Sequence, residues 1–329
     1  MSATTPAKTR SRAQRRIVCL TGVHGFLGSR LLRQLEEDRR YHRIVVLDIR
    51  PLDQASRKCH YYHVDLTEPA IDKTIADILQ KERVQTIVHL AFHSSPQHDE
   101  RTSHELTVIG TMNVIKACRR VAVHKLVVQS TTLVYGADYR NPSLMDEQTP
   151  LNGARSYGFI RDKVEVENML RKLARSAPEM IVTSLRFCPI LSRHHADYIT
   201  DYLQRSVVLT AMGYDPLVQF LHEEDALIAL KKAVDADYPG AINIVGRGVM
   251  YLSTVLHLAK RTAIPVLSPV ASPLVDAMWY LKVSEAPSAH LDYLRYSCIA
   301  SGEKAEKEMG FVAKHTSKQT LLDYLSQRS

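Results

Sequence analysis

Gly22, Gly25 and Gly28 recur at three-residue intervals in the segment Thr21-Gly22-Val23-His24-Gly25-Phe26-Leu27-Gly28. The segment follows the apolar run Ile17–Leu20 and leads into a leucine-patterned stretch. At a strand-to-helix junction, one glycine permits a tight turn, one lets backbone approach a pyrophosphate, and one allows helix and strand to pack closely. The helix beyond offers unpaired N–H groups and the positive end of its dipole to phosphate. The pattern points to a dinucleotide site with Gly22, Gly25, Phe26, Leu27 and Gly28 as cofactor contacts. Its spacing, GxxGxxG, departs from the commoner GxGxxG. Asp48, closing Val45-Val46-Leu47-Asp48 about twenty residues past the last glycine, stands where the ribose-binding acid of such folds belongs. A carboxylate there accepts hydrogen bonds from the ribose hydroxyls and repels a 2′-phosphate. NAD is therefore favoured over NADP, and Arg50 leaves NADP as the alternative.

The elements that must position these residues alternate regularly. Apolar runs at Ile17–Leu20, Ile44–Leu47, Tyr61–Val64, Thr86–Leu90, Lys125–Val128 and Ile181–Leu185 predict parallel strands covered on both faces. Between them, Leu27–Leu35, Ile71–Leu79 and Val108–Cys118 carry helical periodicity. The alternation predicts an α/β fold: a doubly wound parallel sheet (a Rossmann fold) spanning 17–189, with a small C-terminal α+β substrate lobe over 190–329. Segments near 218–246 are expected to return to the first domain. In the second half the pattern predicts helices at Asp197–Val207, Glu224–Val234, Leu252–Arg261, Leu274–Val283 and Gly302–Met309. It predicts strands at Val218–Leu221 and Ala241–Val245, and a loop over Ile264–Pro273.

Composition narrows the class. The net charge is +8, but Lys8, Arg10, Arg12, Arg15 and Arg16 supply five of those charges, leaving +3 for the rest. The first sixteen residues, without acids or apolar periodicity, read as a disordered basic tail, and no specific nucleic-acid partner is expected. No apolar stretch suits a secretory signal or a membrane span, so a cytoplasmic protein is expected. Cys19, Cys59, Cys118, Cys188 and Cys298 are scattered without a CxxC pair, which argues against a disulfide framework or a zinc site. His89 and His93 fall on a strand end and His194-His195 are adjacent, so no metal is expected. The acids of His222-Glu223-Glu224-Asp225 suit helix capping. Met278, Trp279, Tyr280 and Leu281 suit packing inside the small lobe.

Nearly the whole chain, from about 17 to 325, resembles the extended short-chain dehydrogenases/reductases, the NAD-dependent epimerase/dehydratase group. Beyond Thr21–Gly28, Val64-Asp65-Leu66 resembles the adenine-contacting segment, and Val88-His89-Leu90-Ala91-Phe92 the fourth-strand segment beside the cofactor. Gly110-Thr111-Met112-Asn113 resembles the helix signature that follows. Gln129-Ser130-Thr131-Thr132-Leu133-Val134-Tyr135-Gly136 resembles the strand end carrying the catalytic Ser/Thr, here Thr131. Gln219–Ala226 and Gly240–Gly246 resemble two motifs of the second half. The resemblance implies that Asp65, Leu66 and Ala91 join the cofactor site. It also implies a small-molecule substrate, a homodimer through Val108–Cys118 and Val164–Leu173, and proton transfer by a Tyr with a Lys four residues on.

The stretch Tyr157-Gly158-Phe159-Ile160-Arg161-Asp162-Lys163 breaks that last pattern. Counting from Tyr157 puts Arg161 where Lys belongs; counting back from Lys163 puts Phe159 where Tyr belongs. The Tyr157-Gly158 pair favours the first register, giving Thr131, Tyr157 and Arg161 as catalytic residues, with Arg161 also reaching the cofactor. Arginine keeps the charge but not the shape of an ammonium. Thr107 replaces a family Asn, and Val218 replaces the Arg that clamps a sugar-nucleotide diphosphate, a task left to Arg186 or Arg247. Two functions follow: an NAD-dependent epimerase, dehydratase or reductase acting on a hydroxyl or carbonyl of a small, possibly sugar-derived substrate, or a catalytically impaired NAD-binding regulator or scaffold.

Overall fold

The computed structural model describes residues 16–54, 56–153, 158–194, 197–283 and 287–326. Lys8, Arg10, Arg12, Arg15, Tyr157 and His195 lie outside the described residues. The first half runs β1 (Arg16–Thr21), α1 (Phe26–Glu37), β2 (Tyr41–Asp48), β3 (Cys59–His63), α2 (Ile71–Glu82) and β4 (Thr86–His89). It continues through α3 (Glu100–His104), a π-helical turn (Glu105–Gly110), α4 (Thr111–Arg120), β5 (Lys125–Thr131), α5 (Gly158–Ser176) and β6 (Ile181–Phe187). The second half holds β7 (Ile190–Leu191), α6 (Tyr198–Gln204), β8 (Val207–Ala211), β9 (Leu217–Val218), β10 (Leu221–His222), α7 (Glu223–Asp235) and β11 (Gly240–Ile244). Last come β12 (Met250–Tyr251), α8 (Leu252–Leu258), β13 (Thr262–Val266), α9 (Ser268–Tyr280), α10 (Glu303–Met309) and α11 (Ser317–Ser326).

Among the described residues, seven strands form one sheet in the order β11-β6-β5-β4-β1-β2-β3, with every pairing parallel. Alternation along each strand feeds two cores. Val18, Leu20, Ile44, Val46, Val127 and Leu185 pack towards α1 and α7. Cys19, Val45, Leu47, Leu126, Val128 and Val182 pack towards α2, α4 and α5. This is the doubly wound parallel sheet that near-continuous apolar runs imply, since both faces of each strand are buried.

Four local expectations need correction. Ile264–Pro273 is no loop: it supplies β13 and the start of α9. Two of its prolines sit where proline is tolerated, while Pro273 falls inside α9. Pro265 lies in a strand paired only with β8, and Pro269 lies in the first turn of α9. The helix expected to reach Val207 ends at Gln204, and Val207 begins β8. Val218–Leu221 divides between two small sheets, β9 with β12 and β10 with β7. At the break the Gln219 amide donates to the Gly246 carbonyl and accepts from the Ala300 N–H. Helix α9 is also less enclosed than expected: Ala271 and Val275 are buried, but Tyr280 is 88% exposed.

Candidate functional site

Because β1 lies between β4 and β2, the segments leaving these three strands meet at their carboxyl ends, where open α/β sheets bind ligands. Gly22 adopts φ +70°, and a Cβ on it would lie 2.6 Å from the Ala91 nitrogen. A Cβ on Gly28 would lie 2.2 Å from the Gly22 carbonyl oxygen. Side chains at either position would collide with backbone, so the glycines hold the turn against both β4 and α1. The Gly25 N–H closes the turn onto the Gly22 carbonyl at 3.1 Å, and Gly25 caps α1 without a side chain. The first N–H groups of Phe26 and Leu27 are thereby left for a ligand. This cradle fits a pyrophosphate.

Asp48 ends β2 and is half-buried, its carboxylate accepting from the Arg50 N–H at 3.2 Å. His24 Nε2 lies 4.0 Å from the same carboxylate and 3.0 Å from the Arg50 carbonyl, a neighbour the motif does not single out. Arg50 itself is exposed. Asp65 binds its own loop through the Thr67 N–H and hydroxyl, at 2.8 and 2.7 Å. The next carbonyl, that of Leu66, accepts from Asn113 Nδ2 at 2.9 Å, which ties this loop to α4. Ala91, two residues beyond β4, abuts Gly22.

Behind the turn lies a buried relay. The Thr111 hydroxyl donates to the Thr107 carbonyl, so it accepts from His89 Nε2 at 3.0 Å. His89 Nδ1 then accepts from the Thr21 hydroxyl at 2.7 Å, which itself accepts from the Leu90 N–H. Burial, reinforced by the charge of Lys163, pushes His89 down to about 3. The ring is neutral and structural, and sequence reasoning weighed it only as a metal ligand. Thr107 belongs to the π-helical turn, an irregularity common near functional sites.

Thr131 ends β5 and caps the following turn by accepting from the Leu133 N–H at 3.3 Å. On α5, one stripe faces inward: Phe159, Lys163 and Glu167, each four residues apart. Lys163 Nζ sits 4.8 Å from the Phe159 ring centroid and 5.0 Å from that of Phe92. Burial pulls its ammonium down to about 8, with Asp162 opposing. Glu167, one turn on, is buried and accepts two bonds from Arg186, at 3.0 and 2.8 Å, and one from the Ser184 hydroxyl. Arg161 points elsewhere: it is exposed and donates to Asp162, which also pairs with His104. The structure thus brings Lys163, not Arg161, against the segment beyond β4. Tyr157 precedes α5 and is not described.

Of the two candidate phosphate clamps, Arg186 is unavailable: it is 1% exposed and committed to Glu167 and the Tyr135 hydroxyl. Arg247 is exposed and donates to the Lys314 carbonyl, and it does not line the cavity of the C-terminal lobe. His222 itself caps α7 by accepting from the Glu224 N–H, while the buried Asp225 accepts from the N–H groups of Lys314 and His315. The acids therefore anchor the C-terminal segment rather than serve as the cap. Ligand atoms of His222, His315 and Asp323 come within 4.8 Å of one another, a grouping invisible in the sequence because its members are far apart along the chain. The acceptor role of His222 Nδ1 leaves the proton on Nε2, which does not suit metal ligation. No helix among the described residues is long and apolar enough to cross a membrane.

Residues 18–245 match the family model of the NAD dependent epimerase/dehydratase family. A protein of Mycobacterium tuberculosis named only as uncharacterized is 29% identical over 320 residues, covering 95% of this chain and 84% of its own. A UDP-glucose 4-epimerase of Cyamopsis tetragonoloba is 24% identical over 351 residues, covering 91% of this chain and 90% of its own. Among solved structures, a dTDP-glucose 4,6-dehydratase of Streptomyces venezuelae with NAD bound superposes with a TM-score of 0.72 at 17% identity. That superposition covers 94% of this chain and 97% of the other. With the glycine turn, the Asp48 strand end and the seven-stranded parallel sheet in place, the chain belongs to the NAD dependent epimerase/dehydratase family.

Proposed function

We propose that the protein is an NAD-dependent enzyme of the epimerase, dehydratase or reductase type, acting on a hydroxyl or carbonyl of a small molecule. NAD supplies a two-electron hydride acceptor when bound. Gly22, Gly25, Phe26, Leu27 and Gly28 hold its pyrophosphate, Asp48 its adenosine ribose, and Asp65, Leu66 and Ala91 flank it. Thr131 polarises the substrate oxygen, and Tyr157 takes or returns the hydroxyl proton. Lys163 takes the place first given to Arg161 as the cation facing the nicotinamide ribose; six residues past Tyr157 rather than one helical turn, it serves the ribose and not the phenol. The observation that carries this reading is the Lys163 ammonium over the Phe92 and Phe159 rings, where α5 meets the segment that leaves β4, with burial drawing its pKa to about 8. Pairing of two copies through α4 and α5 belongs to the same reading and is tested by sedimentation.

A second reading, an NAD-holding regulator with little turnover, is favoured by one feature: Phe159, not a tyrosine, lies one helical turn before Lys163. Reduced-nicotinamide absorbance with alcohols in the presence of NAD and with ketones in the presence of NADH decides between them, together with product analysis for epimerisation and dehydration, in which the hydride returns within each turnover. Turnover that vanishes in Tyr157→Phe supports the first reading. Turnover unchanged in that variant removes Tyr157 from the mechanism, and neither absorbance change nor product with any substrate supports the regulator.

A further inference from the structure

A cavity of about 440 Å³ lies in the C-terminal lobe, walled by α6, β8, β9, α8 and α9. That size falls within the ~300–1,000 Å³ of ordinary small-molecule sites. One wall is Leu133, two residues beyond Thr131. Leu133 also packs in a cluster with Ile160, Phe159, Tyr198 and Tyr293, so the Lys163 stripe of α5 adjoins the residues that wall the cavity.

The lining is carbon. Val208, Val218, Phe220, Val255 and Val275 face it. Three of its polar members are already engaged with backbone. The Tyr202 hydroxyl donates to the Leu209 carbonyl, the Tyr293 hydroxyl to the Leu133 carbonyl, and both ends of the Gln219 amide are bonded. Burial pushes His290 down to about 3, so this ring adds no charge. Among the described lining residues only Arg205, which is exposed, is charged. Val218 stands where the family resemblance puts a diphosphate-clamping arginine, and neither Arg186, which is committed to Glu167, nor Arg247 lines this cavity. A diphosphate placed here would lose its hydration without gaining partners. A hydrocarbon body would lose nothing and leave water.

We propose that this cavity holds the body of an apolar alcohol or ketone, a fused-ring or branched hydrocarbon with one oxygen function, rather than a nucleoside diphosphate sugar. The inference rests on the reading of Thr131 and Lys163 as the reacting end, because the oxygen function must point to Leu133 and the strand end beside it. Helix α9 forms the outer wall: Leu274 lines the cavity yet is 46% exposed, so the apolar space approaches the surface there.

The chain's single tryptophan, Trp279, sits on α9 stacked on His98 at 3.7 Å and reports on this wall. The NAD-loaded full-length protein is titrated with a 3-hydroxysteroid, with 2-dodecanol and with UDP-glucose, following tryptophan emission and heat. The proposal expects saturable binding of at least one apolar probe, with a negative heat-capacity change. UDP-glucose is expected to bind at least tenfold more weakly. Leu274→Asp, at a half-exposed position, weakens the apolar probe at least tenfold with an unchanged Tm, and Val218→Arg does the same from the opposite side. Failure of both apolar probes to bind, tighter binding of UDP-glucose, or apolar binding indifferent to both substitutions overturns it. Apolar binding without reduced-nicotinamide absorbance or any product sinks the catalytic reading alone. Product formed from UDP-glucose without apolar binding sinks this inference alone.

Discussion

The Lys163 ammonium lies 5.0 Å from the centroid of the Phe92 ring, joining helix α5 to the segment that leaves β4. A cation over an aromatic face is favourable, and more so when desolvated. On the proposed reading that contact makes Lys163 the cation of the site, whereas the exposed Arg161 guanidinium pairs with the buried Asp162 carboxylate, which His104 also meets. Lys163→Met is expected to lower turnover about 10²-fold, the loss that misplacing a bound reactant brings. Arg161→Met should change turnover less than about threefold, since exposed ion pairs contribute little. Steady-state kinetics on the two variants decides, and a larger loss in Arg161→Met returns the role to arginine.

The same lysine sets a pH limb. Drawn from 10.5 to about 8, its side chain is charged below that pH and neutral above it. A reaction needing the ammonium therefore loses rate as pH rises through about 8. Lys163→Arg, which stays charged, should move the limb upward. The stability effect runs the other way. Between about 8 and 10.5 the unfolded chain binds a proton that the folded one lacks, so this group raises stability as pH increases across that window. A kcat/KM profile whose alkaline limb is untouched by Lys163→Arg removes the lysine from the rate.

How much of this was legible in the sequence depends on the range of the interaction. The glycine turn and the Asp48 strand end were readable because local geometry demands those residues: a Cβ on Gly28 would meet the Gly22 carbonyl oxygen at 2.2 Å. The register at Tyr157–Lys163 was not, because the choice between Arg161 and Lys163 depends on where Phe92, some seventy residues earlier, meets the helix. The strand β13 was hidden for a similar reason. Pro265 reads as a breaker until its strand proves to pair only with β8. The structural role of His89 was hidden as well, because its threonine partners come from β1 and α4.

Cofactor choice should respond to Asp48. Its carboxylate ends β2 and accepts from the Arg50 N–H at 3.2 Å, which leaves it capacity to accept from ribose hydroxyls. Asp48→Ala removes bonds to a charged acceptor, each worth about 1.5–3 kcal/mol. NAD affinity is expected to fall about tenfold or more, and NADP affinity to rise as the repulsion disappears and the exposed Arg50 meets the 2′-phosphate. Calorimetric titration with both nucleotides measures the two shifts, and equal loss for both would assign Asp48 a purely structural role.

The His89 relay predicts an acid-labile fold. Held at about 3 against an ordinary 6.5, the buried ring stays neutral in the folded protein while the unfolded chain protonates. The unfolded state therefore binds more protons between about 3 and 6.5. Stability from this group is complete above 6.5 and falls as pH drops through that window. His290, also held near 3, adds to the same slope. His89→Leu leaves the Thr21 hydroxyl without its acceptor and removes the donor to Thr111, so it should cost about 1–3 kcal/mol at neutral pH. Yet it removes one of the buried rings held below the ordinary value, so denaturant unfolding between pH 4.5 and 7.5 should show a shallower fall in the variant than in the parent. An equal slope in both would mean that His89 does not carry the acid sensitivity.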